Sequence, residues 1–91
     1  LCFGADPVMS TEVRQAAERV TAALKQQAGS IGLPFDALAE VMADLKTVDA
    51  QFESSRPKTA IVRACFQSLR NTLDHAGAQD CAGLVAGLLG E

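Results

Sequence analysis

The chain has no tryptophan and no tyrosine; its aromatics are four phenylalanines, Phe3, Phe35, Phe52 and Phe66. Aromatic side chains supply the largest single burials, so the core is expected to be aliphatic and thin. A basic balance is lacking too: 8 Lys+Arg stand against 11 Asp+Glu, a formal charge of −3. A phosphate-backbone binder normally carries a basic stripe, so nucleic acid is not an expected partner. The longest apolar run, CAGLVAGLL over 81–89, falls short of the roughly 20 residues that span a bilayer. The three cysteines, Cys2, Cys65 and Cys81, form no C-x-x-C and no Cys/His cluster. They indicate neither a disulfide framework nor a zinc site, and a reducing cytoplasm suits them best. No cofactor or metal is expected.

What is present is helical. With 91 residues there is room for one domain, which at this size buries a limited share of its surface and gains from assembly. Met9-Ser10-Thr11-Glu12 reads as a natural start, so residues 1–9 are expected to be an N-terminal extension, the residues ahead of Met9 coming from cloning or upstream read-through. The other reading makes residues 1–5 the remnant of a secretory segment, without the charged n-region or full h-region that would support it. The helical domain is then 10–91.

The first helix is expected from Ser10 to Ala28, with Ser10 or Thr11 as N-cap, Glu12 in the first turn and Gly29 as the stop. Its face is Val13, Ala17, Val20, Leu24 and Ala28. Pro34 suits the first position of the second helix, which runs to about Ser54. There Leu38, Val41, Leu45, Val48 and Phe52 repeat at 3, 4, 3 and 4, with Phe35 and Met42 widening the stripe. Pro57 starts the third helix and Gly77 closes it, with Ile61, Val62, Cys65, Phe66, Leu69, Leu73 and Ala76 as its apolar face. A short fourth helix covers about Gln79 to Leu89, burying Cys81, Leu84, Val85, Leu88 and Leu89. No useful strand alternation or internal repeat is visible. The fold class is all-α, an antiparallel helical bundle of three amphipathic helices plus a short C-terminal helix.

The second and third helices differ in charge. Residues 35–53 carry five carboxylates and one lysine, residues 56–76 four cations and one carboxylate. Asp36, Glu40 and Asp44 lie at i, i+4 and i+8, a spacing that destabilises its own helix slightly. A metal or acid–base role would need groups converging from other elements and usually a histidine, so a solvated face, or one paired with Lys58, Arg63 and Arg70, is the simpler reading. Arg63 and Arg70 are thus expected near Glu40, Asp44 or Asp49, in one chain or across a dimer. His75 is the single histidine; it suits the negative end of the third helix and shares no face with Cys65. Cys65 reads as a small buried hydrophobe, and Cys81, at a helix start, as the thiol with the better case for redox chemistry. Ala82, Ala86 and Gly90, with Gly83 and Gly87, form a small-xxx-small pattern read as tight packing on the hairpin.

Residues 55–76, SRPKTAIVRACFQSLRNTLDHA, carry a resemblance that extends over 35–89. The stretch resembles a small helical module of uncharacterised bacterial proteins, in which a helix ending in a short Pro-Lys or Pro-Asn linker is followed by an Ile-Val/Ile-Arg/Lys…Ser-Leu/Ile-Arg-x-x-Leu helix and a Gly/Ala-rich apolar tail. The resemblance implies no activity and carries over no catalytic residue.

These readings lead to a non-enzymatic interaction or oligomerisation module of a small bacterial protein. Burial in so small a core nearly balances conformational entropy, so a homo-oligomer or a protein partner is expected. Phe52, Phe66, Leu69, Leu73, Leu84 and Leu88 are the expected buried or interface positions, and Arg63 and Arg70 the orienting charges. The alternative is a bundle binding a small hydrophobic ligand or lipid between its helices, in a pocket lined by Phe35, Met42, Phe66 and Leu84.

Overall fold

The computed structural model describes residues 6–90; Cys2 and most of the expected N-terminal extension lie outside that range. Among the described residues four helices follow in order: α1 (Thr11–Ala28), α2 (Phe35–Glu53), α3 (Thr59–His75) and α4 (Gln79–Leu89). This is the all-α bundle expected from the apolar periods. α2 and α3 form an antiparallel hairpin: Ser68 Oγ donates to Asp44 (2.7 Å), Thr72 Oγ1 to Glu40 (3.4 Å) and the Lys58 N–H to Gln51 Oε1 (3.0 Å), partners running in opposite directions along the two helices. α3 also packs along α4, while α1 lies mainly against α4 and has a lighter contact with α2.

α1 begins where its cap chemistry requires. Ser10 is the N-cap, and its hydroxyl accepts the Val13 N–H at 3.2 Å, which satisfies one of the helix's unpaired first-turn donors. The buried face is Val13, Ala16, Ala17, Thr21, Leu24 and Ala28. It is rotated from the expected one: Ala16 and Thr21 replace the half-buried Val20. Ala16 and Ala17 are both buried, and the Thr21 hydroxyl is satisfied within the helix by the Ala17 carbonyl at 2.8 Å. Pro34 is the N-cap of α2 and not its first helical residue.

The third helix starts two residues later than the Pro57 signal implies, and the cause is the N-terminal segment. The Met9 N–H donates to the Pro57 carbonyl (2.9 Å), the Thr59 N–H donates to the Pro7 carbonyl (3.1 Å), and Val8 bridges Lys58 antiparallel. Extended pairing holds residues 57 and 58 out of the helix, and Met9 is buried in the core. Within the 1–9 segment, residues 7–9 are therefore joined to the start of α3, and Met9 is packed into the domain.

The core is an aliphatic cluster around one aromatic. Phe66, Leu69 and Leu73 of α3 are fully buried in one cluster with Val41, Leu45 and Val48 of α2, Val85 and Cys81 of α4, and Ala17 and Leu24 of α1. Leu84 departs from expectation: it is 41% exposed, and Ala82 takes the inward position on α4. Gly83 and Gly87 also depart, because a Cβ at either would meet nothing within 4 Å. The small residue buried on α4 is Ala82.

Gly77, at φ +80°, ends α3 in the left-handed region, which a side chain disfavours. Gly77→Ala is expected to cost about 1 kcal/mol, whereas Gly83→Ala, in a helix with open space around it, is expected to gain about 0.5–1 kcal/mol. Urea titration of the two variants should give midpoints displaced in opposite directions.

Candidate functional site

The apolar stripe of α2 is longer than the surface available to cover it. Only Val41, Leu45 and Val48 are buried. Leu38 and Phe52 are half-buried, Met42 is 40% exposed, and Phe35 is 83% exposed. Side-chain contacts between α1 and α2 fall at the far end of α2: Lys25 Nζ pairs with Asp49 Oδ2 at 2.6 Å, and Arg14 reaches Phe52. The N-terminal half of α2 is left with Phe35 and Met42, seven residues apart on one flank, facing water. Ala39, Ala43 and Lys46 are exposed beside them.

Arg14 is the main joint between α1 and α2. Its guanidinium donates to the Phe52 carbonyl, sits 5.9 Å from the centre of the Phe52 ring, and lies 3.4 Å from Glu18 one turn on. The contact serves one of the unpaired carbonyls at the end of α2 and adds a cation–π attraction. Sequence reasoning missed it, because a cation on the flank of α1 carries no signal of which helix end it will meet.

The residues expected to form an interface are divided by the structure. Phe66, Leu69, Leu73 and Leu88 are buried within the chain, so they hold its own helices together and are closed to a partner. That agrees with the expectation that they are buried positions: the three on α3 lie where that helix packs against α2 and α4, and Leu88 is on the inward side of α4. Phe52 is half-buried beneath Arg14, and Leu84 stands on the surface of α4. Arg63 and Arg70 are half-buried on α3, with the Arg70 guanidinium donating to Asn71 Oδ1 at 3.5 Å. On the acidic side of α2, Ser68 donates to Asp44, Thr72 donates to Glu40, and Lys25 of α1 pairs with Asp49. The pocket expected from Phe35, Met42, Phe66 and Leu84 does not form, because Phe66 is enclosed and the other three are on the surface.

His75 shares a shallow crevice of about 420 Å³ with Asp36, Glu40, Asn71 and Thr72, between the start of α2 and the end of α3. Cys81 lines a different crevice, beside Gln27 and Asp80, where its thiol donates to Gln27 Oε1 at 3.1 Å. Burial, with Asp80 nearby, pushes the Cys81 thiol up from its ordinary value; burial, with Asp44, does the same for Cys65. Both are therefore thiols and not thiolates at neutral pH, which weakens the redox case for Cys81.

Two outcomes follow from this chemistry. Arg14→Ala removes a charged donor from a helix-end carbonyl and should cost about 1.5–3 kcal/mol, and Arg14→Lys should recover only part of it, since the planar guanidinium is what suits both ring and carbonyl; denaturant unfolding measures both. Folding also favours the protonated form of the two cysteines. That contribution is complete below the ordinary thiol range, near about 8.5, and is lost as pH rises through the raised values. Thermal melts over roughly pH 8–9.5 should show Tm falling, with a shallower fall in Cys65→Ala.

Comparison with protein-family models, with curated proteins and with solved structures finds no match to this chain.

Proposed function

We propose that the chain is a protein–protein interaction module and that the N-terminal half of α2 is its docking face. The observation that carries the reading is Phe35, 83% exposed on a regular helix with Met42 two turns along the same flank. Fully burying a phenylalanine stabilises by about 1.5–3 kcal/mol, and neither side chain obtains that from its own fold. Large apolar residues grouped on one helix face suit the helix-face mode of recognition, in which anchors spaced by turns enter a partner's surface. A second reading, binding of a small apolar ligand, has support from a shallow groove of about 540 Å³ at the other end of the hairpin. Pro7, Val8, Ala60 and Ile61 form its apolar wall, and Arg56 and Lys58 stand beside it. Native mass spectrometry separates the two, since an adduct of small-molecule mass supports the groove and a ligand-free chain supports the helix face.

Photo-crosslinking tests the docking face directly. With p-benzoylphenylalanine at position 35, a discrete covalent adduct should form in cells, and none should form with the same probe at Gln26, which is exposed on α1. Phe35→Asp should abolish adduct formation from a probe at Met42 while shifting stability by no more than about 0.5 kcal/mol, as expected of a surface position. Equal labelling from positions 35 and 26 would sink the reading.

A further inference from the structure

The exposed face of α2 has a charge arrangement that identifies an occupant. Lys46 is the one cation of α2, and it is exposed, as is Asp36. Neither takes part in a hydrogen bond or ion pair among the described residues, although other carboxylates of α2 do: Asp49 has Lys25, Asp44 has Ser68 and Glu40 has Thr72. At 100° per residue, Phe35, Asp36, Ala39, Met42, Ala43 and Lys46 fall within about 120° of arc, on the side away from Val41, Leu45 and Val48. Along the axis the pattern is symmetric in position and opposite in charge about the level of Val41. Asp36 lies five residues before it and Lys46 five after, Ala39 two before and Ala43 two after.

We infer that this face binds a second copy of the chain, with the two α2 helices antiparallel about a two-fold axis at the level of Val41. The inference rests on the reading of α2 as the docking face. In that register each Asp36 meets the partner's Lys46; the two positions are about 15 Å apart along one helix, and the symmetry makes the pair twice. Ala39 stands opposite the partner's Ala43, allowing close approach of the backbones, and the two copies of Met42 meet beside the axis with Phe35 on the same flank. A parallel arrangement would set Asp36 against Asp36 and Lys46 against Lys46, so the charges select the orientation as well as the partner. The contact is isologous, as a closed dimer requires. One helix face is at the small end of specific interfaces, which marks a reversible dimer.

Sedimentation equilibrium at about 300 µM, where a complex of micromolar Kd is filled, tests it with the full chain. The wild type should be dimeric. Lys46→Asp and Asp36→Lys should each raise the dimer Kd by about tenfold or more, because each variant alone sets like charges across the axis. Mixed in equal amounts the two variants should form a heterodimer, since position 36 and position 46 then carry opposite charges at both ends of the contact, and circular dichroism should show both folded. A wild-type chain that remains monomeric overturns the self-pairing, while an adduct from position 35 to a different protein would leave the docking face standing. A dimer that ignores both charge variants but is lost in Phe35→Asp overturns the antiparallel register and keeps the face. A dimer indifferent to all three substitutions overturns both.

Discussion

Enclosure of α3 is the constraint on which the rest of the structure depends. Phe66, Leu69 and Leu73 have essentially no exposed surface, and α3 packs against both α2 and α4. A chain whose aromatics are few must concentrate burial in one place, and the central helix is the place where each side chain is covered from more than one direction. The consequence is that Phe66, Leu69 and Leu73 of α3 are closed to a partner.

The other helices compete for the remaining cover. α4 is short, and its inward side is made of Cys81, Ala82, Val85 and Leu88, so it can lie close to α3 and support α1. α1 in turn is held to α2 at Lys25 and Arg14, contacts that meet Asp49 and Phe52 near the end of that helix. Among the described residues, no comparable contact from α1 reaches the beginning of α2. The exposed Phe35 and Met42 thus follow from how four helices of unequal length share one small core. The same economy explains the thiols: Cys65 and Cys81 serve as small apolar fillers, and the burial that makes them useful there raises their pKa.

The N-terminal segment shows how a short stretch of extended backbone can alter a helix start. A helix leaves its first N–H groups unpaired, and Pro57 is a natural first residue because it has none. Here the Pro57 carbonyl and the Thr59 N–H are engaged by residues 7–9 instead, and the helix begins at Thr59. Met9 enters the core with them. The Thr59 hydroxyl is buried there without a hydrogen-bond partner among the described residues, a small cost set against the pairing that places it.

The number of helices, their order and the apolar side of α2 and α3 were legible in the sequence, because they are local: Ser10 caps, Pro34 and Gly77 interrupt, and the spacing of Val41, Leu45 and Val48 commits α2 to one face whatever surrounds it. The candidate site was legible only as raw material. Phe35 and Met42 stood in the apolar stripe with the same weight as Leu45 and Phe52, and Leu84 looked as buried as Leu88. Periodicity states which residues share a side of a helix; it does not state how much of that side a neighbour will cover. That depended on where α1 crosses α2 and on how far the short α4 reaches, and these follow from packing between residues distant in the chain. The helices themselves were therefore determined by sequence alone, and the surface left over from their packing, where function is proposed to lie, was decided by the tertiary structure.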